Sequence, residues 1–425
     1  MNPSIRFLKW LYPGMRVKRW VAISIAGVLF FGIGSALLPV EGGVGLRLLS
    51  LVLLVSGLVF LGLGGFGVVR SLIEAVAPRE QQDLVELVFQ RRHLEKGPKI
   101  VAIGGGTGLS TLLQGLKHYT TNITAIVTVA DDGGSSGRLR EEFGMLPPGD
   151  IRNCLVALAD TQPLMQQLFQ YRFAEDSALR GHNFGNLFIT AMTKITGDFE
   201  RAVQASSKVL AIRGHVVPST NATVRLVAEH ADGSVTIGES RISSAESPIK
   251  RVYLDPMQCE PTAEALRAIQ EANAILLGPG SLYTSILPNL LVHRMVDAIL
   301  QSKAFKIYVC NVMTQSRETA GYKASDHLKA LLGHTNPGLV QVCLVNTTPV
   351  PSDLLERYRQ EDAYPVEPDI DRIREMGYQV VADDIVSLEN YVRHDPEKVA
   401  RLVIQLIVGT KGRGTSIFQP VKAAG

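Results

Sequence analysis

Two long apolar stretches open the chain, and short ones follow. No charged residue falls between Trp20 and Val40 or between Leu48 and Val69, and each run is about the 20 residues that an α-helix needs to cross a bilayer. Neither run leaves a polar face, unlike an amphipathic helix of a soluble core. A signal peptide would show one shorter apolar core and a small-residue cleavage site. The pair therefore predicts a transmembrane hairpin turning at Glu41 to Arg47, where Gly42, Gly43 and Gly45 sit. From about Pro78 to Gly97 the pattern is charged and helical, with Leu84, Leu87, Val88 and Leu94 on one face, and reads as a linker closed by Pro98.

Beyond Pro98 the apolar runs shorten to strand length: Ile100 to Ile103, Ile123 to Val129, Ile275 to Leu277, Ile307 to Cys310, Val340 to Val345 and Gln379 to Val381. Between them lie helical patterns at Leu109 to Leu116, Ile151 to Leu158, Gln162 to Tyr171, Gly185 to Lys194 and Phe199 to Leu210. Near the end, Asp395 and Pro396 supply an N-cap and a first-turn proline ahead of the apolar stripe Val399, Leu402, Val403, Leu406. Thr223 to Glu229 and Ser234 to Glu239, joined at Ala231-Asp232-Gly233, predict a β-hairpin excursion, a candidate flap. The sum is an α/β fold: an open, mostly parallel sheet with a small β-hairpin, preceded by two membrane helices. The expected organisation is a membrane hairpin over 1–77, a linker over 78–98 and a cytosolic domain over 99–425.

Charge fixes the orientation. The net charge of the 425 residues is only +3, which gives no basic surface for nucleic acid. Arg6, Lys9, Arg16, Lys18 and Arg19 precede the first run, and Arg70, Arg79, Arg91 and Arg92 follow the second. Both ends are therefore expected in the cytoplasm, with a multi-pass location in the cell membrane and the main domain on the cytoplasmic side. Cys154, Cys259, Cys310 and Cys343 are scattered without a C-x-x-C pair, and no histidine pair has H-E-x-x-H spacing. Neither a zinc site nor a disulfide framework is indicated.

Candidate chemistry concentrates between Lys99 and Arg140. The first short strand ends in Gly104, Gly105, Gly106, Thr107 and Gly108, and a helix follows. Such a loop places free N–H groups and the positive helix end where a phosphate can sit; a tight strand-to-helix turn needs the same glycines. The dinucleotide spacing G-x-G-x-x-G fails at Leu109, which counts against an NAD-binding protein, and no Gly-Lys-Ser/Thr completes a Walker loop. Asp131 and Asp132 follow the second strand, and Asp150 comes later; the three either gather Mg²⁺ for a bound diphosphate or cap turns and helices. Arg138 and Arg152 suit phosphate or solvated salt bridges, and His182 suits acid–base work or a packed structural role. No Ser-His-Asp order marks a hydrolase.

Five motifs, GGGTGLS, ADDGGSSGRLR, PPGDIRNCL, GHNFGNL and LGPGSLYTSILPNL, together resemble the YvcK family, also called the gluconeogenesis factor family, from Lys99 to about Gly412. The resemblance implies a Rossmann-like fold shared with the CofD-like superfamily. Its transferase members move a phospholactyl group from a guanosine diphosphate carrier to a deazaflavin. It further implies binding of a UDP-sugar such as UDP-N-acetylglucosamine, and a role in cell-wall precursor control and cell shape. On that basis Gly104 to Gly108 would cradle the diphosphate and Tyr283 would contact the nucleotide as the aromatic residue. Loop position adds Thr107, Gly280, Ser281 and Asn311 as hydrogen-bonding residues, with Ser135, Ser136, Asn153, Asn183 and Asn186 in the remaining motifs. ADDGGSSGRLR and PPGDIRNCL differ from the transferase branch, and the membrane hairpin differs from the soluble YvcK pattern. A non-catalytic UDP-sugar-binding regulator with no required cofactor is expected, with a CofD-like Mg²⁺-dependent transferase as the alternative. Expected partners are the nucleotide sugar, the bilayer, cell-wall synthesis or regulatory proteins and a second copy of the chain.

Overall fold

The computed structural model describes residues 17–40, 43–76, 92–160, 163–174, 177–389 and 391–410. The chain separates into two compact units, Met1–Arg91 and Arg92–Gly425.

In the first unit, α1 (Val17–Leu37) and α2 (Val44–Val76) pack side by side. α1 stops short of the apolar run because Pro39 disfavours helical backbone at Leu38. The spans Val17–Leu37 and Val44–Ser71 hold 21 and 28 residues with mean hydropathy 2.0 and 2.4. At 1.5 Å per residue they reach roughly 31 and 42 Å, enough for the hydrocarbon core of a bilayer. The contact is made by small residues that let backbones approach, a packing that also suits helices in lipid. A Cβ on Gly57 would lie 2.5 Å from the Phe31 nitrogen, and one on Gly27 2.7 Å from the Leu61 nitrogen. Ser50 adds a hydrogen bond to the Gly34 carbonyl at 2.7 Å.

The second unit begins earlier than the expected linker allows. Leu84, Leu87 and Val88 lie outside the described residues, but Leu94 is buried. Four carbonyls here are taken up: Leu94 accepts from the Thr121 N–H, Glu95 and Gly97 from the Asn122 amide, and Pro98 from the Thr120 hydroxyl. These bonds bind the segment to the domain.

Ten strands carry the frame. They are β1 (Ile100–Gly104), β2 (Ile123–Val127), β3 (His215–Pro218), β4 (Arg225–His230), β5 (Val235–Ile237), β6 (Ile249–Asp255), β7 (Ala274–Leu277), β8 (Phe305–Val309), β9 (Val342–Asn346) and β10 (Gln379–Asp383). A seven-stranded sheet runs β10-β9-β8-β7-β1-β2-β3, parallel throughout. The chain builds β1, β2 and β3 outward on one side, then crosses to β7 and continues outward on the other. The topological switch point therefore falls between β1 and β7, paired from Ile100↔Ala274 to Ile103↔Leu277. β3 escapes a hydrophobicity reading because its four residues begin with His215 and end at Pro218.

The helices that matter for the site are α3 (Gly106–Leu116), α4 (Gly134–Phe143), α5 (Gly149–Leu158), α6 (Phe184–Thr196), the short α7 (Glu239–Ile242) and α8 (Pro396–Thr410). Asp395 caps α8 as expected, its Oδ1 accepting from the Glu397 and Lys398 N–H groups, and Val399 and Val403 are buried below.

The excursion is larger than a hairpin. β5, β4 and β6 form a three-stranded antiparallel sheet. β6 shows no continuous apolar run in sequence because Lys250 and Arg251 interrupt it, and the ladder takes a bulge at Glu229/His230. Leu226, Ala228, Val252 and Leu254 join the main core, and Arg140 clasps the Val224 carbonyl. The excursion is a packed wall rather than a flap.

Candidate functional site

The crevice outside the carboxyl ends of β1 and β7 is where an open α/β sheet binds ligands. Here two glycine loops meet. Gly105 is extended and Gly106 has φ +64°, a left-handed conformation open to glycine. Gly108 answers a different need. A Cβ there would lie 2.6 Å from the Pro279 carbonyl oxygen and 2.9 Å from the Gly280 nitrogen, so this glycine lets the two loops touch. Asn311, after β8, ties the second loop down by accepting from the Gly280 N–H at 3.1 Å.

Between these loops opens a cavity of about 450 Å³. Gly105, Gly106, Thr107, Gly108, Gly280, Ser281 and Asn311 line it, as the motifs suggested; Glu239, Ser243, Glu318, Arg393 and His394 line it too. Gly104 does not: it closes β1, its carbonyl accepting from Thr128 and Asn289. No side chain caps α3. One carboxylate stands in for a cap: Asp150 accepts from the Gly106 N–H, while burial, then the neighbouring Asp131, push its pKa to about 7. The N–H groups of Thr107 and Gly108 have no partner among the described residues.

The acidic loop turns out to be a set of caps. Asp131 accepts from the Gly133 N–H at 2.9 Å and from Ser136, and Asp132 accepts from the Ser240 N–H at 2.9 Å at the start of α7. Among the described residues, no three His, Cys, Asp or Glu side chains are grouped to hold a metal ion. The residues present do not by themselves fit Mg²⁺.

A second polar cluster lies between α4, α5 and α6, away from the cavity wall. Ser135 Oγ is its centre, accepting from the Asn183 N–H and the Asn186 amide at 3.3 and 3.1 Å, with His182 Nδ1 at 3.4 Å. Arg152 donates to Asn186 at 3.0 Å and to Asn153 at 2.6 Å, and Arg138 donates to the Arg180 carbonyl at 2.9 Å. Asn183 also caps α6 through the Asn186 N–H. These residues pair largely with one another, and Arg152 Nε is buried without a hydrogen-bond partner.

Tyr283 corrects an expectation. Its ring is 2% exposed, its hydroxyl bonds Tyr322 at 2.8 Å, and His334 meets the ring edge-on at 5.7 Å. The side chain belongs to the core and does not line the cavity. The loop's hydroxyls face the cavity instead.

Sequence reasoning missed four chemically active wall residues. Glu318 is buried and accepts from Ser243 at 2.9 Å, from Thr284 at 3.4 Å and from Ser281; burial raises its pKa against those hydrogen bonds. Burial, then Asp131, Glu318, Asp132 and Asp150, push Glu239 to about 8. His394 bonds the Cys310 carbonyl at 3.0 Å and is held neutral, its pKa lowered to about 4 by burial. Arg393 stacks over Tyr391 at 4.8 Å and makes no ion pair among the described residues.

Comparison with known proteins decides the family. The family model described as 2-phospho-L-lactate transferase CofD matches residues 100–386. This chain is a member of the CofD-like family. Within it, the relatives carry the gluconeogenesis-factor name. The Bacillus subtilis protein named "Gluconeogenesis factor" is 53% identical over 73% of this chain and 98% of its own length. A Nostoc protein named "Putative gluconeogenesis factor" is 48% identical over 94% of this chain and 92% of its own, so that match extends into the N-terminal apolar region. A Bacillus halodurans crystal structure superposes with a TM-score of 0.71 at 49% identity, covering 73% of this chain and 100% of that one. The CofD-like α/β unit of that relative is thus a complete folded chain. In this member of the family, two helices long and apolar enough to cross a membrane precede it.

Proposed function

We propose that this chain binds a nucleotide sugar of the UDP-N-acetylglucosamine type in the switch-point cavity and acts as a regulator. Its field would be cell-envelope precursor supply, cell shape and gluconeogenic growth. The observation that carries the reading is the set of unsatisfied donors on one wall: the Thr107 and Gly108 N–H groups at the head of α3, with Arg393 at the same cavity. A helix N-terminus and a guanidinium both favour a diphosphate. Regulation rather than turnover is supported by the wall chemistry. His394 is the one histidine lining the cavity, and its Nε2 is engaged by a carbonyl rather than by a hydroxyl nucleophile. The membrane hairpin, with basic residues at both its ends, would hold this sensor at the cytoplasmic face of the cell membrane. A second reading, transfer of a phospho-linked group from a nucleotide carrier, is favoured by the family model over residues 100–386.

Calorimetric titration of the detergent-solubilised chain with UDP-N-acetylglucosamine, GDP and NAD, with and without Mg²⁺, separates them. Selective UDP-sugar binding, weakened in Arg393→Ala and with the ligand recovered intact, supports the regulator. A metal-dependent preference for GDP supports the transferase.

A further inference from the structure

The cavity wall carries groups of opposite chemistry. Arg393 and the open first turn of α3 supply donors for anions. Glu239, the first residue of α7, lines the same cavity, carried there by the three-stranded sheet. The main chain around it is fixed. Gly238 has φ +107°, a Cβ there would lie 2.4 Å from Asp132 Oδ2, and the Ser240 N–H donates to Asp132 Oδ1.

The Glu239 carboxyl itself makes no hydrogen bond among the described residues. Its counterpart Glu318 is occupied by Ser243, Thr284 and Ser281. Half-buried polar groups are ordinarily paired, and one left open in a cavity wall has room for a partner supplied by a ligand. The surroundings select that partner. Asp131, Glu318 and Asp132 act on Glu239 as like charges, so a phosphate is repelled from this carboxyl. A neutral group with hydroxyl or amide hydrogens is not.

We propose that Glu239 is a specificity-determining residue that hydrogen-bonds the sugar part of the nucleotide sugar, whose diphosphate lies at Thr107, Gly108 and Arg393. This assignment rests on the nucleotide-sugar reading and adds a contact to it: the diphosphate at the open donors of α3 and Arg393, the sugar at Glu239. With its pKa pushed to about 8, Glu239 carries a proton at neutral pH and offers one donor and one acceptor. That pairing matches a diol or an acetamido group, each of which also gives and takes a hydrogen bond.

The test is titration of the full-length protein in detergent with UDP-N-acetylglucosamine and with UDP, for wild type, Glu239→Ala and Glu239→Gln. Glu239→Ala is expected to weaken the UDP-sugar about tenfold, the effect of one lost hydrogen bond, and to leave UDP within about twofold. Glu239→Gln keeps a donor and an acceptor and should retain UDP-sugar affinity within about threefold. Unchanged UDP binding also shows that the variant is folded. Equal losses for both ligands in Glu239→Ala, or no loss for either, would overturn the assignment while leaving the nucleotide-sugar reading in place. If wild type binds neither ligand, both fall together.

Discussion

The cavity wall and the Ser135 cluster are built from the same kinds of residue, and they differ in who satisfies whom. In the cluster, Arg152, Asn153, Asn183, Asn186, His182 and Ser135 meet at hydrogen-bonding distance and pair mostly with one another, Arg152 Nε being left buried without a partner. On the cavity wall the Thr107 and Gly108 N–H groups, the Arg393 guanidinium and the Glu239 carboxyl are left open. Both regions come from motifs of glycine, asparagine, serine and arginine. Polarity in a loop therefore does not mark a ligand site; an unspent donor or acceptor facing a cavity does. The cluster fixes how α4, α5 and α6 sit, and through Asp150 on α5 it reaches the head of α3.

The largest effect should come from the residue on which the cavity itself depends. Gly108→Val places side-chain carbon against the Pro279 and Gly280 backbone, which cannot give way as a flexible side chain would. The loops must separate, at a cost of several kcal/mol typical of overpacking and backbone displacement. Thermal unfolding should show a large drop, and titration no nucleotide binding. A protein of unchanged melting temperature would mean that the loops do not touch.

Next comes a paired experiment across the two regions. Arg152→Ala leaves the buried acceptor of Asn186 and the partly buried one of Asn153 without their donor, a loss of about 1–3 kcal/mol, and should lower stability with nucleotide affinity nearly intact. Arg393→Ala removes an exposed cation with no ion pair, and should weaken binding about tenfold or more with little change in stability. Reversed results would exchange the roles of the two regions.

Sequence patterning made much of the frame legible and little of the wall. Six strands of the parallel sheet and the cap at Asp395 announced themselves because buried parallel strands are continuous apolar runs bounded by loops. β3 and β6 did not, since one is four residues ending in proline and the other alternates with charge. Gly105 to Gly108 could be read because strand, glycine loop and helix are contiguous. Glu239, Glu318 and Arg393 come from three distant segments that only the fold assembles, and an isolated glutamate or arginine carries no local signal. Tyr283 was misplaced for the opposite reason: its loop does line the cavity, but sequence does not say which way a ring turns.

A smaller effect is expected from pH. Asp150 and Glu239 have pKa values near 7 and 8 in the folded chain, against ordinary carboxyl values near 4 when unfolded. Below about pH 4 both states are protonated and nothing is lost. Between roughly pH 4 and 8 the folded state holds more protons than the unfolded one, so stability falls as pH rises through that window. Unfolding of the purified protein across pH 4 to 8 should show that decline, and a variant carrying Asp150→Asn with Glu239→Gln should flatten it. A double variant whose curve runs parallel to that of the wild type would show that neither carboxyl is shifted.

The smallest effect separates core from cavity at a single atom. Tyr283→Phe keeps the ring that packs against His334 and deletes only the hydroxyl shared with Tyr322. Tyr322 is partly exposed, so water can replace the lost partner, and the change should cost about 0.5–1.5 kcal/mol. Since the hydroxyl does not line the cavity, nucleotide affinity should stay within about twofold. Tyr283→Ala, by contrast, empties a core position and should cost about 3–5 kcal/mol. If the phenylalanine variant lost nucleotide binding while keeping its melting temperature, Tyr283 would have to leave the core to reach the ligand, and the division between packed core and open wall would fail at this loop.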